Sequence, residues 1–303
     1  MPDGHTRMKS LYDVPAPAKL NLFLHITGKR PDGYHLLQSV FALIDWCDML
    51  HFEPRGDGGI SREDLGQALP ADDLIVRAAR ALQSATGTRL GVHVSVDKKI
   101  PAQAGMGGGS SDAASCLLAL NRLWNLGLSL ADLSRMGLAL GADVPFFLAG
   151  RNAWVEGIGE KITPLNLNLN NARYLVVKPP QGLQTGLIFA HPELRIGTKT
   201  ATISGFAENP RGFGRNDLQA VAERLCPGIA QALVWLASHG LRGRMTGSGS
   251  AVFAWALEDG VGIDLGINLD DLPSAFEARW CSGLDVHPLV GWASSDDLPV
   301  GGI

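Results

Sequence analysis

Cysteine is sparse. The 303-residue sequence holds four, Cys47, Cys116, Cys226 and Cys281, and no C-x-x-C pair. That spacing argues against a zinc site and a compact disulfide framework, and predicts reduced, buried thiols. Charge of one sign is also missing: 26 Lys and Arg stand against 30 Asp and Glu, a formal net charge of -4. There is no global basic footprint of the kind that advertises a nucleic-acid or anionic-membrane partner. No run approaches the ~18 apolar residues of a membrane helix. The stretch Met1–Arg7 carries no apolar h-region, so a soluble cytoplasmic protein is expected, with no nucleic acid, membrane or protein partner evident. The apolar fraction of 46% is an ordinary globular value, and the length suits one large or two medium domains. No tandem repeat is present.

What the sequence has in quantity is glycine, 37 residues, and it concentrates them in Pro101-Ala-Gln-Ala-Gly105-Met-Gly107-Gly108-Gly109-Ser110-Ser111-Asp112. Four glycines in five residues are costly to order, and they let a backbone take φ > 0 and come close to a ligand. A flexible linker is the plain alternative. Against it stand an alternating strand before the loop, Val92, Val94 and Val96, and a helix after it, with Ala113, Leu117, Leu120 and Trp124 on one face. Ser110 or Ser111 suits its N-cap. A glycine loop running into a helix N-terminus gathers free amides and the positive dipole end, which suits phosphate. The loop is neither a Walker A motif, since no lysine follows Gly109, nor a dinucleotide fingerprint, since Pro101–Ala104 separate it from the strand.

Along the chain, residues 1–17 read as a loose arm. Residues 19–26 then alternate strictly, so Lys19 and Asn21 share a face opposite Leu20 and Leu22. On spacing alone a solvated Lys19 is the ordinary reading. Residues 27–35 form a turn-rich loop with Tyr34 and His35 at its exit, as core anchors or as a stacking platform. Residues 39–52 read as strand and 56–71 as surface loop. A helix capped by Asp72 or Asp73 runs to Gly87, and a strand spans 91–97. Ser129 with Asp132 resembles a capping box ahead of a helix that stops at Gly141. Asp143 would then lie just past a helix end, against the dipole, as a turn former or something more specific. Two strands flank the turn 157–160. The asparagine-rich stretch 166–171 is the best domain boundary, followed by a strand at 174–177, a helix start at 185–189, a mobile loop at 195–215 and a helix at 227–239. Met245–Ala254 forms a second glycine loop entering a strand.

Three separated stretches together resemble the GHMP small-molecule kinases: Pro17-Ala-Lys19-Leu-Asn21-Leu, Gly105-Met-Gly-Gly-Gly-Ser-Ser111-Asp-Ala-Ala114 and Thr246-Gly-Ser-Gly249. Asp32-Gly-Tyr34-His35, Leu140-Gly-Ala-Asp143-Val-Pro145 and Glu156-Gly-Ile-Gly-Glu160 narrow the likeness to the branch acting on a cytidine-diphosphate-linked methylerythritol in non-mevalonate isoprenoid synthesis. The resemblance covers roughly residues 15–290. It implies an α+β fold of two domains: a ribosomal-S5-like α/β domain at 1–165 and a ferredoxin-like α+β domain at 166–291, with the active site between them and a disordered tail at 292–303. It implies ATP with Mg2+ as cosubstrate and phosphorylation of the substrate's 2-hydroxyl. Asp143 would accept or orient that hydroxyl beside Lys19. Pro101, Gly105, Gly107, Gly108, Gly109, Ser110 and Ser111 would hold the ATP phosphates. Tyr34, His35 and Phe189 would form a cytosine pocket, with Asn21 and Thr185 also lining the substrate site. No magnesium ligand is assigned. The chain departs from the pattern at Gln103 and Ala104, where further glycines are usual, and at Asp73, where a related sequence has asparagine near the adenine. A GHMP kinase for homoserine, mevalonate or a galactose-like sugar, and a non-catalytic RNA-binding or scaffold protein, are the competing readings. Tyr34–His35 opposes the first, and the missing basic excess with intact Lys19 and Asp143 opposes the second.

Overall fold

The computed structural model describes residues 9–169, 172–256 and 267–294. Its frame is a pair of long antiparallel strands, β1 (Leu11–Lys29) and β2 (His35–Arg55). Residues 11–17, expected as part of a loose arm, belong to β1; residues 1–8 lie outside the described residues. Pro15 and Pro17 are accommodated because β1 ladders with β2 alone, on one side. A register shift between Asn21 and Leu24 breaks the strict alternation. Leu20, Leu22 and Phe23 therefore join one apolar cluster, and Leu24 and Ile26 join another.

The other edge of β2 is shared by three strands. Residues 49–55 pair with β4 (Gly91–Asp97), 43–44 with β10 (Glu277–Leu284) and 37–41 with β5 (Ala153–Gly157), which continues into β6 (Lys161–Pro164). Within the expected surface loop 56–71 lies β3 (Ile60–Asp64), parallel to β4. Beyond β10 the sheet continues through β7 (Arg173–Lys178), β9 (Val252–Trp255) and β8 (Gly243–Met245). The fold is two-domain α+β.

Helices α1 (Leu74–Thr86), α2 (Gly108–Leu123), α3 (Leu130–Leu140) and α4 (Val144–Ala149) cover the first part of the sheet. Asp73 caps α1 and Ser129 with Asp132 completes the capping box of α3, as the sequence predicts. The expected amphipathic stripe on α2 is replaced by burial on every side, from Ser111 through Asn121. Trp124, its next residue, packs on the same core. In the second part come α5 (Thr185–Phe189), α6 (Ile203–Glu208), α7 (Gln219–Leu225) and α8 (Pro227–Ser238). The expected mobile loop 195–215 contains α6, whose Phe206 packs with Phe213 against Phe23. The expected tail is ordered at its start: Trp292 lies over Arg122, and Ser294 O accepts Leu130 N at 3.0 Å. The rest of that tail, 295–303, lies outside the described residues, as do Asn170 and Asn171 of the expected boundary. All four cysteines are free thiols. Among the described residues no helix is long and apolar enough to cross a membrane.

Candidate active site

The glycine loop delivers the chain from β4 to α2. Gly105 and Gly107 both hold φ 73°, a left-handed conformation that side chains disfavour. Gly107, rather than Ser110 or Ser111, is the N-cap of α2, and no side chain caps it. The first-turn amides are thus left to a ligand instead of being closed off by a serine hydroxyl. The helix begins before the serines, so Ser111 N already bonds back to Gly107 O at 2.9 Å. Ser111 is fully buried and its hydroxyl has no partner among the described residues.

Beneath the loop sits a buried charge cluster that the sequence analysis missed. The Lys98 ammonium contacts both Asp48 and Asp112, while Asp48 Oδ1 also accepts the amides of Lys99 and Ile100 at 2.6 and 2.7 Å. Burial alone would lower the Lys98 pKa, but the two carboxylates reverse that and raise it. Burial, aided by the Asp48 charge, pushes the Asp112 carboxyl up, against the pull of Lys98. A Lys-Lys pair before a glycine loop reads as two solvated side chains, which is why no signal marked Lys98.

On β1, Lys19 is fixed at both ends. Its amide bonds Met106 O of the glycine loop at 3.0 Å, and its Nζ donates to Asn21 Oδ1. Nζ lies 3.6 Å from Asp143 Oδ2 and 4.6 Å from the centre of the Phe41 ring. Burial draws the Lys19 pKa down, and Asp143 pulls it back toward the charged form. Asp143 does follow α3, but it is also the N-cap residue of α4. The dipole there favours its carboxylate, where the sequence predicts opposition.

Across from these, His35 and Phe189 face each other with ring centres 5.0 Å apart and planes at 31°. Tyr34 beside them is 59% exposed. Burial, and secondarily the Lys29 charge, lowers the His35 pKa, which favours the neutral imidazole with one donor and one acceptor nitrogen. Thr185 Oγ1 lies 2.7 Å from Ser248 Oγ, joining α5 to the second glycine loop. That loop packs backbone to backbone on the first. Ser250 N bonds Gln103 O at 3.0 Å and Ala251 N bonds Ala104 O at 3.1 Å. A Cβ on Gly105 would overlap the Thr246 carbonyl and lie 2.7 Å from Gly249 N.

These groups line one cavity of about 1000 Å³: Lys19 with Asp143, Asn21, the ring group of Tyr34, His35 and Phe189, and Thr185. Pro101, Gly105, Gly107, Gly108, Gly109 and Ser110 line it as well, as do Lys98 and Asp112. Ser111 stands behind the wall. Among the described residues no three His, Cys, Asp or Glu side chains cluster as a metal site.

The GHMP kinases N terminal domain model matches residues 73–151, and the GHMP kinases C terminal model matches residues 199–264. A 4-diphosphocytidyl-2-C-methyl-D-erythritol kinase of Albidiferax ferrireducens is 68% identical over 97% of this chain and 99% of its own length. One of Paracidovorax citrulli is 63% identical over 96% of this chain and 100% of its own length. A crystal structure of 4-(cytidine 5'-diphospho)-2C-methyl-D-erythritol kinase superposes with TM-score 0.75 at 33% identity, covering 91% of this chain and 99% of that one. Homoserine kinase from Cytophaga hutchinsonii, at 16% identity and TM-score 0.68 over 92% of this chain and 96% of its own, shares the fold. The chain is therefore a small-molecule kinase of the GHMP class, and within that class it belongs to the 4-diphosphocytidyl-2-C-methyl-D-erythritol kinase family.

Proposed function

We propose that this kinase transfers the γ-phosphoryl group of ATP to the 2-hydroxyl of 4-diphosphocytidyl-2-C-methyl-D-erythritol, the step its family resemblance assigns to non-mevalonate isoprenoid synthesis. The observation that carries the reading is a single cavity whose walls hold an anion-ready helix start, a buried lysine beside a partly exposed aspartate, and an aromatic pair. Residues 1–165 would supply the glycine loop with Lys19 and Asp143, and residues 166–291 would supply Thr185 and Phe189.

In this reading the amides of Gly107, Gly108, Gly109 and Ser110 take the ATP phosphates, as a helix N-terminus does. Asp143 accepts the proton of the substrate hydroxyl as its oxygen bonds to the γ-phosphorus. The bond to the β-bridging oxygen breaks and ADP departs. Lys19, 3.6 Å from the Asp143 carboxylate, offsets negative charge on the transferred group. Mg2+, bound to the phosphates, would neutralise their charge; with no carboxylate cluster formed among the described residues, it is assigned no protein ligand. His35 and Phe189 hold the cytosine face, with Tyr34 at the open rim.

The test compares cytidine- and uridine-diphosphate-linked methylerythritol, with wild type and His35→Ala. Wild type should reject the uridine compound, because an exocyclic carbonyl oxygen replaces the cytosine amino group and would face a pocket group that accepts from an N–H. His35→Ala should lower kcat/KM for the cytidine compound on the order of tenfold, with ATP affinity unchanged. Equal turnover of both compounds by wild type would rule out reading of the base and leave a GHMP-type kinase of unspecified substrate.

A further inference from the structure

Asn216 lies 5% exposed between the segments 195–215 and 227–239 that the sequence analysis assigns. Its neighbours are laid along β1 just past the register shift. Leu24 N bonds Arg215 O at 2.9 Å, Asp217 N bonds Leu24 O at 2.8 Å, and Asp217 Oδ2 accepts Ile26 N at 2.8 Å. The Asn216 side chain is thereby turned toward the second glycine loop. Its Nδ2 donates to Met245 O and to Gly247 O, each at 2.8 Å, and its Oδ1 accepts Leu218 N at 2.9 Å. The two carbonyls belong to the residues on either side of Thr246, so one carboxamide grips that residue from both flanks. Thr246 Oγ1 in turn accepts Asn21 N at 2.9 Å, and Asn21 Oδ1 receives the Lys19 ammonium. Every link is buried: Thr246 and Asn21 are 0% and 1% exposed.

We infer that Asn216 is a positioning residue for phosphoryl transfer, which sets Lys19 against Asp143 through Thr246 and Asn21. The inference rests on the reading in which Lys19 and Asp143 perform the transfer. A carboxamide is required because the grip needs two donors and an acceptor on one planar group. Aspartate has the same shape, but it would set a negative charge against two carbonyls. The effect belongs in kcat, since a displaced Lys19 disturbs the reacting geometry while the nucleotide amides stay in place; misplacement near 1 Å can cost on the order of a hundredfold.

The experiment measures kcat and both KM values for Asn216→Ala, Asn216→Asp, Thr246→Val, Thr246→Ser, Lys19→Ala and the Asn216→Ala/Lys19→Ala pair. Asn216→Ala and Asn216→Asp should lose on the order of tenfold to a hundredfold in kcat, with KM for ATP within about twofold. Thr246→Val should match them, and Thr246→Ser, which keeps the acceptor, should stay near wild type. The double variant should be no slower than Lys19→Ala, because removing Lys19 leaves Asn216 nothing to position. Additive losses, or a KM for ATP that rises in step with the fall in kcat, would reduce Asn216 to a structural role and overturn the inference. If the Asn216 variants do not fold, the Thr246 pair decides, and wild-type kcat in Thr246→Val overturns it. Wild-type kcat in Lys19→Ala would instead overturn the catalytic reading, and the inference with it.

Discussion

Asp143 keeps 30% of its side chain exposed, while Lys19 beside it keeps 4%. Neutralising the aspartate therefore removes a reactive group without emptying the core. Asp143→Asn should cut turnover by on the order of a thousandfold or more, with ATP binding by calorimetry and the melting temperature near wild type. Substantial residual turnover would dismiss Asp143 as proton acceptor. A second residue-scale consequence concerns His287, which is 1% exposed, has no partner for Nε2 among the described residues and is drawn by burial from 6.5 down to about 4. Between those two pH values the unfolded chain binds a proton that the folded chain excludes, so stability falls as pH drops through the window. The loss reaches about 3 kcal/mol at its lower end, and His287→Asn should flatten the urea-midpoint profile over that range. An unchanged profile would show that another group sets the acid limit. Period-two spacing put Lys19 and Asn21 on one face of a strand, and the short patterns around them and Asp143 carried the family resemblance that singled these residues out, because both kinds of signal survive in one dimension. Asn216 and Lys98 could not be found this way, since the carbonyls that Asn216 grips lie 29 and 31 positions away and the carboxylates that Lys98 contacts lie 14 and 50 positions away.

The loop and the helix after it depend on what lies under and beside them. Lys98→Met would leave Asp48 and Asp112 buried and facing each other, a loss of about 3–5 kcal/mol for one partner removed from a buried pair. Adding Asp112→Leu should recover part of it, as chemical denaturation can check; no recovery would mean the cluster is not an electrostatic unit. Gly105→Ala meets both a left-handed φ and the backbone of the second glycine loop. It should weaken ATP binding on the order of tenfold or more and lower the melting temperature, whereas Gly109→Ala, with only Leu74 Cδ1 at 3.7 Å from its Cβ, should do neither. Unchanged ATP affinity in Gly105→Ala would make the loop a plain linker. The capped helices α1 and α3 and the alternating β4 were legible because their signals are local. The start of α2 was not: serine is the better cap by preference, but glycine at 107 leaves the amides open. Nor was α2's complete burial, because Ser111, Asp112, Ser115 and Asn121 look like a solvated face until their tertiary neighbours are known.

For the whole molecule the deciding element is β10, which pairs with β2 through Gly283 and Leu284 and with β7 through residues 277–282. The sequence analysis assigned no strand there. Its Trp280, Cys281 and Gly283 carry no clean alternation, and its partners lie about a hundred and more than two hundred residues upstream, so only tertiary pairing reveals it. The two-domain organisation was legible through separated motifs; the strand that stitches the domains was not. During synthesis β10 leaves the ribosome after every other strand described. Until residue 284 is clear, β2 and β7 wait with unpaired edges, and such edges recruit other chains. Fragments ending at residue 276 should be cut readily by protease and drawn into chaperone complexes, and the 303-residue chain, which contains β10, should resist both. Equal resistance at the two lengths would mean that each domain closes without its neighbour. Every residue lining the cavity is made before this strand, so the pocket's parts are all present in the chain before the strand that joins the two halves of their sheet exists.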